Sequence, residues 1–233
     1  MSSAIESNLA RVRERIRLAC ERAGRDPAAV TLIAVTKSFP AETVVAACQA
    51  GLQDIGENRV QEAAEKAPLV EAQGARPRWH LIGHLQRNKV KTALNLFDII
   101  HSIDSLRLAE TVSRAATGPV TALLEVNAAG EASKFGVPPA EVESLLREIE
   151  RLPNLEVRGL MTVAPLVANP EEVRPVFREL RRLASSLGLP ELSMGMSDDF
   201  ETAIEEGSTM VRIGRALFGS RLELLEESRP GTE

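Results

Sequence analysis

A chain of 233 residues, 44% hydrophobic and 26% charged, has the make-up of an ordinary water-soluble protein, long enough to bury a sizeable core. Its formal net charge of −5 argues against non-specific nucleic-acid binding, and no apolar run approaches the length of a membrane span. The opening residues lack the basic and apolar regions of a secretory signal, and Cys20 and Cys48 fall in helical patterns without metal-ligand spacing. These features predict a cytoplasmic protein with reduced thiols and no metal site.

In chain order the first element is a helix, with Leu9, Val12, Ile16, Ala19 and Ala23 at helical spacing and Gly24 as its stop. Arg11, Arg13, Arg15 and Arg17 lie among Glu6, Glu14 and Glu21, which describes a solvated face rather than an anion site. Strand and helix signals then alternate. The aliphatic run Thr31–Pro40 reads as a strand covered on both faces that delivers Lys37 at its C-terminal end. Ala41–Ala50 reads as a helix closed by Gly51, Asp54–Asn58 as a brief strand and turn, and Val60 to about Gln73 as a helix. Further strands are predicted at Trp79–Gly83, Asp98–His101, Val120–Val126, Leu155–Leu160, Glu191–Met194 and Met210–Ile213. The intervening helices are Gln86–Ala93, Ser105–Ala116 with an Asp104 or Ser105 cap, Pro138–Glu150, Pro170–Leu187 and Asp198–Glu206. Eight such units after an extra N-terminal helix predict an α/β fold, a (β/α)8 TIM-type barrel, with an open doubly wound sheet as the competitor. With no linker or charge block, residues 1–233 read as a single domain with a polar tail after about Leu225.

Three regions carry chemistry. Lys37 stands where barrels place functional groups, at the C-terminal end of a strand; the choice there is between a solvated charge and an amine that captures an aldehyde. The segment Ser193–Phe200 offers Gly195, the Ser197 hydroxyl and a helix N-terminus, which suit either a phosphate or an ordinary helix cap. Val211–Gly219 follows strand eight with Arg212, Gly214 and Arg215, and the loops after strands seven and eight are a common phosphate site in barrels. There is no tyrosine, a single tryptophan, Trp79, and three histidines, so few side chains are available for proton transfer.

Taken with Gly56-Glu57-Asn58, Trp79–Lys89, Ser133-Lys134-Phe135-Gly136 and Gly159-Leu160-Met161-Thr162, these segments resemble the pyridoxal-phosphate homeostasis protein family, barrels related to the N-terminal domain of alanine racemase. The resemblance runs from about Ile5 to Phe218. It implies that pyridoxal 5′-phosphate (PLP) is held as a reversible aldimine on Lys37, with Ser197, Gly214 and Arg215 cradling the phosphate and Arg212 meeting the pyridine nitrogen. An arginine there only donates and disfavours ring protonation, which weakens the ring as an electron sink. Asn58 is either a contact to the ring or a turn residue, and His84 either orients a ligand or is structural; His80 and His101 read as structural. Met161 and Met196 form pocket walls or simply pack. Lys134 is either a second amine near the entrance or a solvated loop residue, and Lys89 and Lys91 read as surface charges that leave a partner role open. The implied function is buffering or delivery of PLP, with apo PLP enzymes as partners and the chain a monomer. A racemase is the alternative, weakened because the related two-base enzymes use a tyrosine; a cofactor-free aldolase-type barrel leaves the phosphate loops unexplained.

Overall fold

The computed structural model describes residues 2–131 and 135–219. It contains a closed barrel of eight parallel strands in the order β1 to β8: Thr31–Val35, Asp54–Glu57, Arg78–Leu81, Ile99–Ile103, Val120–Glu125, Leu155–Met161, Glu191–Ser193 and Met210–Ile213. Closure is direct, since β1 pairs with β2 through Ala34 and Ile55 and with β8 through Ala34 and Ile213. No strand edge is left to template another chain.

Helices follow the strands on the outside: α2 (Ala41–Gln49), α3 (Val60–Ala72), α4 (Val90–Leu94), α5 (Leu106–Ala115), α6 (Val142–Ile149), α7 (Arg174–Ser186), α8 (Phe200–Glu205) and α9 (Arg215–Phe218). The extra helix α1 (Ser2–Arg22) comes first. Its buried stripe of Ile5, Leu9, Val12, Ile16, Ala19 and Cys20 packs on α8 and α9. Arg15 makes a two-pronged ion pair with Glu201 at 2.7 and 3.0 Å and lies over the Phe200 ring, so one of the four arginines joins α1 to α8 rather than facing solvent alone. Arg17 follows the expectation and pairs with Glu14 and Glu21 on its own helix.

Two layers of packing result from strand alternation. Outward residues such as Ile55, Leu81, Ile100 and Val211 join the helices in one large core. Ile33, Leu123, Met161 and Met210, from β1, β5, β6 and β8, form a second cluster inside the barrel.

Several boundaries differ from the sequence expectation. β1 stops at Val35, so Lys37 lies two residues beyond the strand, in a turn. Residues 86–93 begin as a 3-10 turn, Arg87–Lys89, before α4, and Pro139–Glu141 and Pro170–Val173 are likewise 3-10 turns ahead of α6 and α7. α8 starts at Phe200, which leaves Ser197 and Asp198 in the preceding loop rather than in a helical turn. The expected polar tail lies outside the described residues. Cys20 and Cys48 are free thiols on helices, as expected.

Candidate functional site

The C-terminal mouth of the barrel has two well-defined sides. On the β1–β2 side, Thr36 keeps its amide on β2, donating to Gly56 O at 3.1 Å, while its other two polar groups are engaged by side chains. Its hydroxyl donates to Glu57 Oε1 at 2.7 Å, and its carbonyl accepts from Lys66 Nζ at 2.7 Å. Lys37 follows with its side chain exposed, and Ser38 adopts φ +65°, a left-handed conformation uncommon for a residue with a Cβ. Asn58, directly after β2, is half-buried at the same end of the barrel. Its carbonyl oxygen sits where a side chain on Gly83 would have to go, 2.3 Å from an ideal Cβ, so the loops after β2 and β3 are in intimate contact.

On the β7–β8 side the loops are shaped by backbone. Gly195 has φ +93°, and a Cβ there would stand 2.6 Å from Ala203 Cβ, so only glycine turns the chain under α8. The Ser197 hydroxyl accepts from Ala216 N at 3.3 Å, which fastens the loop after β7 to the first turn of α9. The expected helix-cap alternative for Ser197, bonding to the Asp199 or Phe200 amide, is thus replaced by a bond between loops. Asp199 takes the local role and accepts from Met196 N at 2.6 Å. Gly214 approaches the end of β1 closely: an ideal Cβ would lie 3.3 Å from Val35 O. α9 starts directly after it at Arg215, and the first amides of a helix have no intrahelical acceptors. The exposed Arg215 side chain pairs with Asp198.

Between the two sides, Arg212 is buried at the inner face of β8. It donates to Ser193 Oγ at 2.7 Å and to Thr162 O at 2.8 Å, both neutral acceptors. Burial pulls its pKa down to about 10, against the opposing charges of Asp199 and Glu125. His80 and His101, which the sequence reads as structural, are fully buried and connect to this arginine. Ser193 Oγ lies 2.9 Å from His101 Nδ1, His101 Nε2 2.9 Å from His80 Nδ1, and His80 Nε2 2.9 Å from Asp54 Oδ1. One arrangement satisfies every member: Arg212 donates to Ser193 Oγ, the Ser193 hydroxyl to His101, His101 to His80, and His80 to the Asp54 carboxylate. Burial holds His101 well below its ordinary pKa, consistent with this neutral tautomer. A continuous chain of hydrogen-bonded groups therefore runs through the barrel from Arg212 to Asp54.

Glu125, at the C-terminal end of β5, was not singled out by the sequence. It is 9% exposed, its Oε2 has no hydrogen-bond partner, and burial together with Asp104 raises its pKa to about 7, with Arg212 opposing. A lone Glu in an otherwise apolar strand, Thr121-Ala122-Leu123-Leu124-Glu125-Val126, was the available signal. Met161 is fully buried in the interior cluster, where packing accounts for it. Met196 is half-buried in the loop beside Ser197. His84 sits on the loop after β3, three strands from β8, stacked on Phe135 at 4.0 Å with Nδ1 3.2 Å from Asp104. Lys134 lies outside the described residues. Among the described residues no group of three or more His, Cys, Asp or Glu side chains is arranged to hold a metal, and no helix is long and apolar enough to cross a membrane.

Residues 7–222 match the family model of the alanine racemase N-terminal domain, which defines the class of barrel. Alanine racemase from Corynebacterium glutamicum shares the fold at a TM-score of 0.72 and 18% identity, over 94% of this chain and 62% of that one. Much nearer in sequence is the pyridoxal phosphate homeostasis protein of Aquifex aeolicus, 46% identical over 222 residues, 91% of this chain and 96% of the relative. The PipY structure from Synechococcus elongatus with PLP bound superposes with a TM-score of 0.81 at 37% identity, over 92% of this chain and 100% of that one. The chain belongs to the pyridoxal phosphate homeostasis protein family.

Proposed function

We propose that this protein binds PLP covalently and reversibly at the Lys37 amine and serves to buffer or deliver it in the cytoplasm. The observation that carries the reading is the convergence at the mouth. Gly214 packs against the Val35 carbonyl, two residues before Lys37, while Ser197 is tied to the first turn of α9. An amine for an aldehyde and a helix start for a phosphate dianion therefore belong to neighbouring loops.

The residues suit the group. The amides of Gly214 and Arg215, the Ser197 hydroxyl and the Arg215 guanidinium would hold the phosphate, and Asn58 would border the ring. Arg212 is fixed as a donor by its bonds to Ser193 and Thr162, so it would offer N–H to an unprotonated ring nitrogen and withhold a proton from it. When bound, PLP supplies an electrophilic aldehyde and, if its ring is protonated, an electron sink. The His101–His80–Asp54 chain positions Ser193, and through it the Arg212 guanidinium.

A carrier is favoured over a racemase by one further fact. The chain has no tyrosine, and two-base racemisation of the kind seen in the related enzymes requires a second base opposite the lysine. The partners under this reading are PLP itself and apo forms of PLP enzymes, and the chain acts as a monomer.

The test is transfer. Loaded protein incubated with an apo PLP enzyme should restore that enzyme's activity, while alanine of either hand should show negligible interconversion. Rapid racemisation, or an inability of the loaded protein to reactivate any apo-enzyme, would overturn the carrier assignment.

A further inference from the structure

We infer that Lys66, with Glu57 and Glu62, forms a buried positioning device that presents the Lys37 amine; the inference rests on the reading of Lys37 as the aldehyde-capturing residue. The sequence gives no hint of it. Lys66 lies within the helical pattern of α3 and looks like one more solvated charge, yet its side chain is only 8% exposed.

The geometry is specific. Lys66 Nζ stands 2.7 Å from each of three oxygens: Thr36 O, Glu57 Oε1 and Glu62 Oε1. An ammonium has three donors, so all are used. Glu57 Oε1 also accepts from the Thr36 hydroxyl at 2.7 Å, and Glu62 Oε1 accepts from the Ser38 amide. The residues immediately before and after Lys37 are thus both fastened to one network, while Lys37 itself stays exposed. Ser38 is held at φ +65°, a conformation that persists only when its surroundings over-determine it. The same device carries Asn58, because Glu57 precedes it on β2.

This network does not earn its place through stability. Glu57 is fully buried, its Oε2 has no hydrogen-bond partner, and burial raises its pKa despite the adjacent ammonium. Buried ion pairs of this kind are often replaced by apolar residues of similar size with no loss of stability. What apolar residues cannot supply is a directional hold on the Thr36 carbonyl and the Ser38 amide. Lys66 itself, with its three N–H groups each donated to a different oxygen, is withdrawn from reaction with aldehydes, so the arrangement also leaves Lys37 as the amine that reacts.

The test compares wild type with Glu57→Leu/Lys66→Met, which releases the Thr36 carbonyl, and with Glu62→Leu, which releases the Ser38 amide. Each is exposed to PLP, reduced with borohydride and mapped by peptide mass spectrometry; thermal midpoints and affinity for pyridoxine 5′-phosphate, which lacks the aldehyde, are measured alongside. The expected result is a fall of at least about tenfold in the rate of labelling at Lys37. Affinity for pyridoxine 5′-phosphate should be within about twofold of wild type, since the phosphate loops are untouched, and the thermal midpoint should be retained. Labelling at the wild-type rate in either folded variant, or labelling that falls only in step with the thermal midpoint, would overturn the positioning role. Wild type that fails to label at Lys37 would instead overturn the assignment of Lys37 as the amine, a separate outcome read in the same experiment.

Discussion

The two sides of the barrel mouth are built on opposite principles. The β1–β2 side is held by side-chain charge: a fully buried Glu57, the nearly buried Lys66 and the part-buried Glu62 fix the backbone around Lys37. The β7–β8 side is held by backbone: Gly195 allows an approach that a Cβ would block, Gly214 lies close against Val35, and one hydroxyl, Ser197, joins the two loops. The difference fits what each side has to hold. A covalent capture needs one atom aimed, and directed bonds aim it; a phosphate has several equivalent oxygens, and a collar of amides surrounds them.

Removing the amine should give the largest effect. Lys37→Ala is expected to eliminate the borohydride-fixable adduct altogether while leaving residual, phosphate-driven binding of PLP, measured by absorption and equilibrium dialysis. The converse change, Ser197→Ala with Arg215→Ala, should weaken PLP retention by at least about tenfold while altering plain pyridoxal far less, because two charge-assisted or hydroxyl contacts are lost from the phosphate alone. Equal losses for the two ligands would dissolve the division between the sides.

A smaller effect concerns Glu125, between them. Its native pKa, about 7, lies above the ordinary 4.5, so the folded state favours the protonated form. The stability associated with that proton is complete below about pH 4.5 and is lost as pH rises through 7. Glu125→Gln should therefore be neutral near pH 4 and stabilising at pH 8 by on the order of 2 kcal/mol, read from denaturant titrations at the two pH values. The smallest change is expected at the rim. His84→Ala removes the stack on Phe135 and the bond to Asp104, and should shift PLP affinity by no more than about threefold, as befits an exposed pair.

The sequence was most legible where local pattern and global fold agree. Met210–Ile213 was read with its observed bounds, and Gly24 and Gly51 marked their helix ends at φ +63° and +89°. Glycines and a serine near strand ends made the β7–β8 loops visible as well. What stayed hidden depended on contacts between residues distant in sequence. Lys66 reaches Thr36 across thirty positions, and His101 reaches Ser193 across ninety-two. Neither partnership has a local signature, so the sequence does not single out Lys66, and the link from the two structural histidines to Ser193 stays hidden. The end of β1 was overrun for the same reason: an aliphatic run extends to Val35, and the contacts of Thr36 with Glu57 and Lys66 have no local signature.

The most direct test of the account is borohydride reduction of the wild-type protein with one equivalent of PLP, followed by peptide mapping. The account predicts a yellow species that becomes fixed almost entirely on the peptide carrying Lys37. Label distributed over Lys89, Lys91 and Lys134, or no stable label at all, would contradict it.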